Sequence, residues 1–308
     1  MPEDAEAEDE LLLARNLKAL DIAPALGGSS ICSSNTGNNA DEKQILILDA
    51  GYGFPREKKV RKEKINAISS QLSNFLVWQT GLTTATTTTT TTTATECQSA
   101  AVRVVGCPDE KTKEILESRT IENMKRTSSL SSNNLPSHVT LSCETLEECL
   151  EGLSTNRTAG TTTSTTTSMF SGNVGDEPVY LSPDASESLN PSSKPPGIAI
   201  VGLLIDRRVQ PNRSKDRAEN TGIVARRWPL EDCFAEIDAR EPLNVDCILE
   251  GMQQWWWNWN QLTPANSSND VTVDLNVKKE TFIQAASQAI EHHAKRHPNR
   301  PLHISKHQ

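Results

Sequence analysis

Aromatic residues are scarce in this chain of 308 residues, at 4%, and hydrophobic residues reach only 35%. Several stretches rich in Thr, Ser and Asn lack the regular apolar spacing that would repay the entropy of ordering them. Much of the chain is therefore excluded from a hydrophobic core. The length would allow one large domain or two small ones, and we expect one interrupted domain.

Other absences narrow the class of protein. No apolar run is long enough for a membrane span or a signal peptide, and the acidic start argues against a mitochondrial presequence. The seven cysteines show no Cys-x-x-Cys spacing, which fits reduced intracellular thiols and offers no zinc site. No Gly-x-Gly-x-x-Gly loop follows a strand, which disfavours a Rossmann-type enzyme. We expect a protein of the nucleus or the cytoplasm, with no membrane and no metal.

Charge is unevenly distributed along the chain. The formal net charge of -9 would by itself argue against a nucleic-acid partner, because phosphates repel carboxylates. Six of the first ten residues are acidic, however, and seven cations follow one another closely near residue 210. These cations are Arg207, Arg208, Arg213, Lys215, Arg217, Arg226 and Arg227. The pattern indicates an acidic tail joined to a locally basic domain.

Apolar patterning predicts alternating strands and helices. Short continuous apolar runs predict buried strands at 45–48, 100–107, 178–181 and 197–205. Helical spacing predicts helices at 56–79, 111–124, 279–296 and after Asn244. Thr-rich tracts without an apolar face predict disordered insertions at 83–95 and 155–176. The expected organisation is a disordered acidic tail at 1–43, an interrupted domain at 44–300 and a short tail at 301–308.

A series of motifs then resembles one known family. The best-matched block comprises Tyr180-Leu181-Ser182-Pro183-Asp184-Ala185, Gly202 to Asp206, Ala218 with Gly222 and Ile223, Arg227-Trp228-Pro229-Leu230, and Leu243 with Asp246, Ile248 and Leu249. Upstream, Leu48-Asp49 and Ser70-Gln71-Leu72 also match. In this order the segments resemble the SPOUT family that methylates N1 of the purine at position nine of tRNA. Leu203, Arg208 and Trp228 depart from the family pattern.

The resemblance implies a fold, a cofactor and a substrate. The fold would be α/β, an open and mainly parallel sheet with helices on both faces and a C-terminal deep trefoil knot over roughly residues 200–260. The cofactor would be S-adenosyl-L-methionine and the substrate would be tRNA. Of the two purines at position nine, guanine is favoured as the methylated base. By the same resemblance the protein would be a monomer.

The resemblance also assigns site residues. Asp206 would act as the base or orient the guanine edge, and Gln71 would approach the target base. The cofactor would be bordered by Leu181, Gly202, Asp206, Ser214, Leu230, Leu243 and Asn244, and the seven cations near residue 210 would contact tRNA phosphates. Simpler roles stay open: Asp206 as a turn cap, Gly202 as a packing position, and Asn244 or Asp246 as helix caps.

Two other functions stay open from the sequence. The departures at Leu203 and Arg208 allow a catalytically inactive knotted domain that binds tRNA or a processing partner. The Thr tracts allow a mostly disordered interaction protein. The cluster Trp255, Trp256, Trp257 and Trp259 is expected mainly in the core, although adjacent Trp side chains cannot all face inward. His292, His293 and His297 are expected to be an exposed helix end, since no acidic or Cys partner has matching spacing.

Overall fold

The strands of this protein are short and almost wholly apolar, as expected for a parallel sheet covered on both faces. In the computed structural model they are β1 (Ile45–Asp49), β2 (Ala101–Val105), β3 (Val139–Leu141), β4 (Val179–Leu181), β5 (Ile198–Gly202) and β6 (Val224–Arg226). The helices are α1 (Lys58–Thr87), α2 (Glu110–Thr127), α3 (Leu146–Thr158), α4 (Arg213–Asn220), α5 (Val245–Leu262) and α6 (Leu275–Arg296). The structure describes residues 43–87, 99–128, 132–158, 177–204, 210–231, 234, 237–238, 243–262 and 274–297.

The six strands form one sheet in the order β3-β2-β1-β5-β4-β6, and every pair is parallel. The register places Asp49 of β1 opposite Gly202 of β5, and Leu181 of β4 opposite both Val201 and Arg226. All carboxyl ends therefore lie at one edge of the sheet. The predicted open parallel α/β sheet is confirmed.

Alternation along the strands distributes the core over both faces. Leu46, Leu48 and Val201 face one layer, which contains α1, α2, α5 and α6. Ile47 and Ile200 face the other layer, where α3 and α4 pack. Each face buries its own apolar cluster because successive side chains of a strand point to opposite sides. Helices on both faces are thus confirmed.

All four predicted strands and all four predicted helices are present, with boundaries shifted by up to eight residues. Four elements were not predicted, namely β3, α3, α4 and β6. Each is short or strongly polar, so its apolar pattern is weak. Helix α1 continues to Thr87 and helix α3 to Thr158, so their ends overlap the first residues of the two predicted insertions. No helix among the described residues is long and apolar enough to span a bilayer.

Candidate active site

The polar groups of the sheet converge at the carboxyl ends of β1, β5, β4 and β6. The Leu203 amide donates to the Asp49 carbonyl at 2.8 Å, and the Ser182 amide donates to the Arg226 carbonyl at 2.9 Å. These bonds extend the sheet by one residue and hold the four strand ends side by side. Open α/β sheets bind ligands in the crevice outside this edge, at the point where the strand order reverses.

Asp49 is the charged centre of this edge and is wholly buried. Its Oδ2 accepts from Arg217 Nε at 3.0 Å and from the Tyr180 hydroxyl at 3.1 Å. Its Oδ1 accepts from the Gly51 amide at 2.8 Å. A buried carboxylate needs such donors to offset its loss of hydration. The family resemblance included Asp49 only as the residue that ends a strand. The sequence feature that could have indicated its central position is its place directly after a buried apolar run.

Two tyrosines complete the network around Asp49. The hydroxyls of Tyr52 and Tyr180 lie 2.6 Å apart. Burial raises the pKa of both tyrosines, and the negative charge of Asp49 raises it further. Both hydroxyls therefore keep their protons at neutral pH. They serve as hydrogen-bond donors and not as bases.

Gly202, predicted to border the cofactor, ends β5 beside Tyr52. A Cβ at this position would lie 2.8 Å from the Tyr52 hydroxyl and ring edge. The space that the glycine leaves open on that side is thus filled by the Tyr52 ring. The packing role that the sequence left open for Gly202 has a physical basis here.

Ser214, a second predicted cofactor residue, joins helix α4 to strand β4. Its hydroxyl lies 2.7 Å from that of Ser182, and both residues are buried. The loop before the helix is fixed by the Asn212 amide, which donates to Asp184 Oδ2 at 2.7 Å. The start of α4 is therefore held against the Ser-Pro-Asp segment that follows β4.

Apolar residues predicted to border the cofactor contribute to the main core at the same edge. Leu181 and Leu230 are buried in it, and Leu243 is half-buried against it. The departure at Leu203 is accommodated because its side chain is buried in this core. The departure at Trp228 is accommodated by Gly251 of α5, where a Cβ would overlap the Trp228 ring.

Gln71 and Asn244 meet at the start of helix α5. Gln71 Oε1 accepts from the Val245 amide at 2.8 Å, which satisfies one of the unpaired amides of the first turn. Asn244 is buried directly before that helix. The structure therefore brings Gln71 to the predicted cofactor residues, and its amide group is engaged with the backbone.

The described cations near residue 210 all have partners within the chain. Lys215 pairs with Glu219, Arg226 with Glu187, Arg227 with Glu231, and Arg217 with Asp49 and Glu147. Arg213 donates to the Tyr52 carbonyl at 3.1 Å and lies over the Tyr52 ring. Arg207, Arg208 and the predicted base Asp206 lie outside the described residues.

The Trp cluster packs mainly into the core, as expected. Trp255, Trp256 and Trp259 are buried, and Trp257 is half-exposed. Trp255 meets Phe282 of α6 edge-on at a centroid distance of 5.0 Å. These contacts join the last two helices.

The expectation of an exposed His cluster is wrong for His293, which is only 2% exposed. Its side chain belongs to a group formed with α5, in which Asp246 lies near His297 and Glu250 lies near His292. These acidic residues are more than 40 positions away in sequence. Spacing within one segment could not reveal them.

The fold and this edge define an open parallel α/β protein whose buried polar groups converge at the carboxyl ends of its strands. Residues 112–262, just under half of the chain, match the family model of tRNA (guanine(9)-N(1))-methyltransferase TRM10/TRM10A. This match supports an S-adenosylmethionine-dependent tRNA methyltransferase, as the resemblance implied.

Solved structures of low sequence identity were also found. The SAH complex of spTrm10 is 13% identical, with a TM-score of 0.43, covering 79% of this chain and 96% of that one. The dual-specific Trm10 from Thermococcus kodakaraensis is 13% identical, with a TM-score of 0.41 and coverages of 80% and 99%. The yeast arginine methyltransferase SFM1 with SAH is 12% identical, with a TM-score of 0.33 and coverages of 69% and 70%. No curated protein sequence gave a significant match.

Proposed function

We propose that this chain methylates N1 of guanine at position nine of tRNA at the carboxyl edge of β1, β5, β4 and β6. The observation that carries the proposal is the convergence of four strand ends and the start of α5 on one edge, together with the residues that the family resemblance assigns to the site. That edge presents buried polar groups beside an apolar wall, which is the composition of a nucleotide-type ligand site.

We further propose that residues 44–300 form one SPOUT domain whose segment from about 200 to 260 is knotted. The chain order supports this: β6 lies outside β4 at the end of the sheet, and α5, which follows it, packs against α1 on the opposite flank of β5. The connection after β6 must therefore pass back across the strand ends. Knots are otherwise nearly absent from protein folds, so this return path is an unusual feature.

The residues at this edge fit S-adenosylmethionine by chemistry. The half-buried Leu243 offers apolar surface for an adenine ring, and Leu181, Leu230 and the buried Asn244 lie at the same edge of the sheet. The hydroxyls of Ser182 and Ser214 add polar groups beside them. When bound, the cofactor supplies an activated sulfonium methyl group.

The protein must then place the base and accept one proton. Guanine N1 carries a weakly acidic proton that has to leave as the ring nitrogen attacks, so a carboxylate within reach is the natural acceptor. We assign this role to Asp206, which follows the end of β5 by four residues. Gln71 is a positioning residue, because it fixes the first turn of α5 beside Asn244 through the Val245 amide.

Contact with tRNA would use the cations near residue 210, including Arg207 and Arg208. Four of these cations would have to exchange an acidic partner within the chain for a phosphate of the tRNA, which lowers their net contribution to binding. They are Lys215, Arg217, Arg226 and Arg227. Arg217 is the least available of them, since its partner Asp49 is buried. From the resemblance alone we also propose a monomer acting in the nucleus or the cytoplasm.

The experiment measures methyl transfer from labelled S-adenosylmethionine to unmodified tRNA transcripts carrying G9 or A9, with nuclease mapping of the product. We expect N1-methylguanosine at position nine. Asp206→Asn should lower the rate by about 100-fold or more, the usual contribution of a general base. Asp216→Asn, at an exposed position of α4, is the matched control and should keep its activity. Equal rates for the two variants would remove Asp206 from the mechanism, and label at another nucleotide would refute the substrate assignment.

A further inference from the structure

A group of metal-ligating side chains lies where the end of α6 meets the start of α5. Asp246 of α5 and His293 and His297 at the end of α6 each present one ligand atom, and these atoms lie within 4.8 Å of one another. His293 lies in the last turn of α6 and His297 directly follows the helix, and the centroids of their rings are 4.9 Å apart. None of these three residues has a role in the proposed methyl transfer.

The charge in this region is incompletely balanced by permanent cations. Asp246 and Glu250, one turn apart on α5, are 0% and 1% exposed. One guanidinium serves both: Arg296 Nε lies 3.3 Å from Asp246 Oδ2, and Arg296 Nη1 lies 2.5 Å from Glu250 Oε1. Two buried carboxylates beside one permanent cation leave a net negative charge, which is costly in a poorly hydrated site.

The polar atoms of this group are also incompletely bonded among the described residues. His297 Nε2 is a buried atom without a hydrogen-bond partner there, and it lies 3.9 Å from Asp246 Oδ2. That distance is too long for a hydrogen bond and leaves room for an ion between the two atoms. Asn74 of α1 donates to the same carboxylate oxygen at 3.2 Å, which orients it.

We propose that Asp246, His293 and His297 form a binding site for a divalent transition metal ion, with Zn²⁺ the best fit. Two imidazoles and one carboxylate are a usual zinc ligand set, with water in the fourth position. Atoms no more than 4.8 Å apart lie at most about 2.8 Å from their common centre. Each therefore has to move inward by at most about 0.7 Å to reach the usual distance to zinc. Arg296, with its side chain 24% exposed, turns toward solvent as the ion binds.

The ion would link three helices near the proposed cofactor site. Asp246 stands two residues after Asn244, and it is bonded to α1 through Asn74. The two histidines lie at the end of α6, where Arg296 also pairs with Asp246 and Glu250 of α5. A bound ion would therefore fix the end of α6 to the first turn of α5. This inference does not depend on methyl transfer.

The test uses the full chain without an affinity tag, stripped with EDTA and titrated calorimetrically with ZnCl₂. We expect one Zn²⁺ per chain and a rise in Tm, because an ion that binds only the folded state stabilises it. His297→Gln should weaken binding by at least about 100-fold, more than the loss of an outer-shell group does. Two matched controls, His292→Gln and His303→Gln, should bind like the parent chain.

Binding of Co²⁺ supplies a second readout. A site with these nitrogen and oxygen ligands gives visible absorption bands, which should be present in the parent and absent in His297→Gln. Far-UV circular dichroism checks that this variant is folded, which we expect because the side chain is 30% exposed at the helix end. The proposal is overturned if the chain binds no Zn²⁺, if His297→Gln binds as the parent does, or if His303→Gln abolishes binding.

Discussion

Arg217 offers the sharpest test of the buried network, because sequence and structure assign it different roles. The sequence predicts a phosphate contact, whereas the structure pairs it with Asp49, which is wholly buried. Replacing Arg217 by Met keeps the apolar stem and removes the guanidinium. Removing one partner of a buried ion pair costs about 3–5 kcal/mol. Asp49 keeps two donors, Tyr180 and Gly51, and Arg217 is a quarter exposed, so we expect a loss of about 2–3 kcal/mol.

The assay is urea unfolding followed by Trp fluorescence and by circular dichroism. Arg119→Met is the matched control, since Arg119 pairs with Glu122 on the surface of α2 and both side chains are more than 40% exposed. Such a pair contributes about 0–1 kcal/mol. In the double variant with Asp49→Asn the neutral amide no longer needs the guanidinium. The two effects should then be non-additive by about 0.5–3 kcal/mol.

Two results would refute this reasoning. Arg217→Met could unfold no more easily than Arg119→Met, or its effect could simply add to that of Asp49→Asn. Either result would mean that Asp49 does not depend on Arg217. If Arg217 contacted tRNA instead, the variant would keep its stability, and the salt dependence of tRNA binding would become shallower by about one charge.

Two further predictions concern packing and pH. Gly251→Ala should lower the free energy of unfolding by about 1–3 kcal/mol, because the new Cβ overlaps the Trp228 ring. Gly152→Ala, on an exposed face of α3, should instead raise it by about 0.5–1 kcal/mol. Thermal unfolding of both variants measures these changes, and a gain in stability for both would contradict the packing of Trp228 against Gly251. Burial raises the pKa of the Cys107 thiol from 9.0 to about 11, and Cys143 contributes to this shift. The thiol therefore loses its proton at a lower pH in the unfolded chain than in the folded one. The free energy of unfolding should then fall as the pH rises from about 9 to about 11. Unfolding measured across that range should show a smaller fall in Cys107→Ala, and an identical fall would exclude this thiol as a cause.

The sequence determined the layered architecture through local patterns. Runs such as Ile45 to Leu48 are apolar at every position, which only a strand covered on both faces requires. The apolar periodicity of α1, α2, α5 and α6 located those helices. The ordered motifs from Tyr180 to Leu249 identified the family, because several short patterns in a fixed order are far more specific than any one of them. Elements with weak apolar patterns, such as α4 and β6, could not be found in this way.

Only the tertiary structure decided which polar groups share an environment. Asp49 and Arg217 are far apart in sequence and meet because β1 and β4 flank β5, which brings the helix after β5 to the end of β1. Asp246 and His297 meet because α5 and α6 pack side by side, so a cluster that has no spacing signature in the sequence forms between two helices. Local patterns report which face of an element is buried. The partners across an interface depend on the order in which the elements pack, and single-sequence periodicity carries no information about that order.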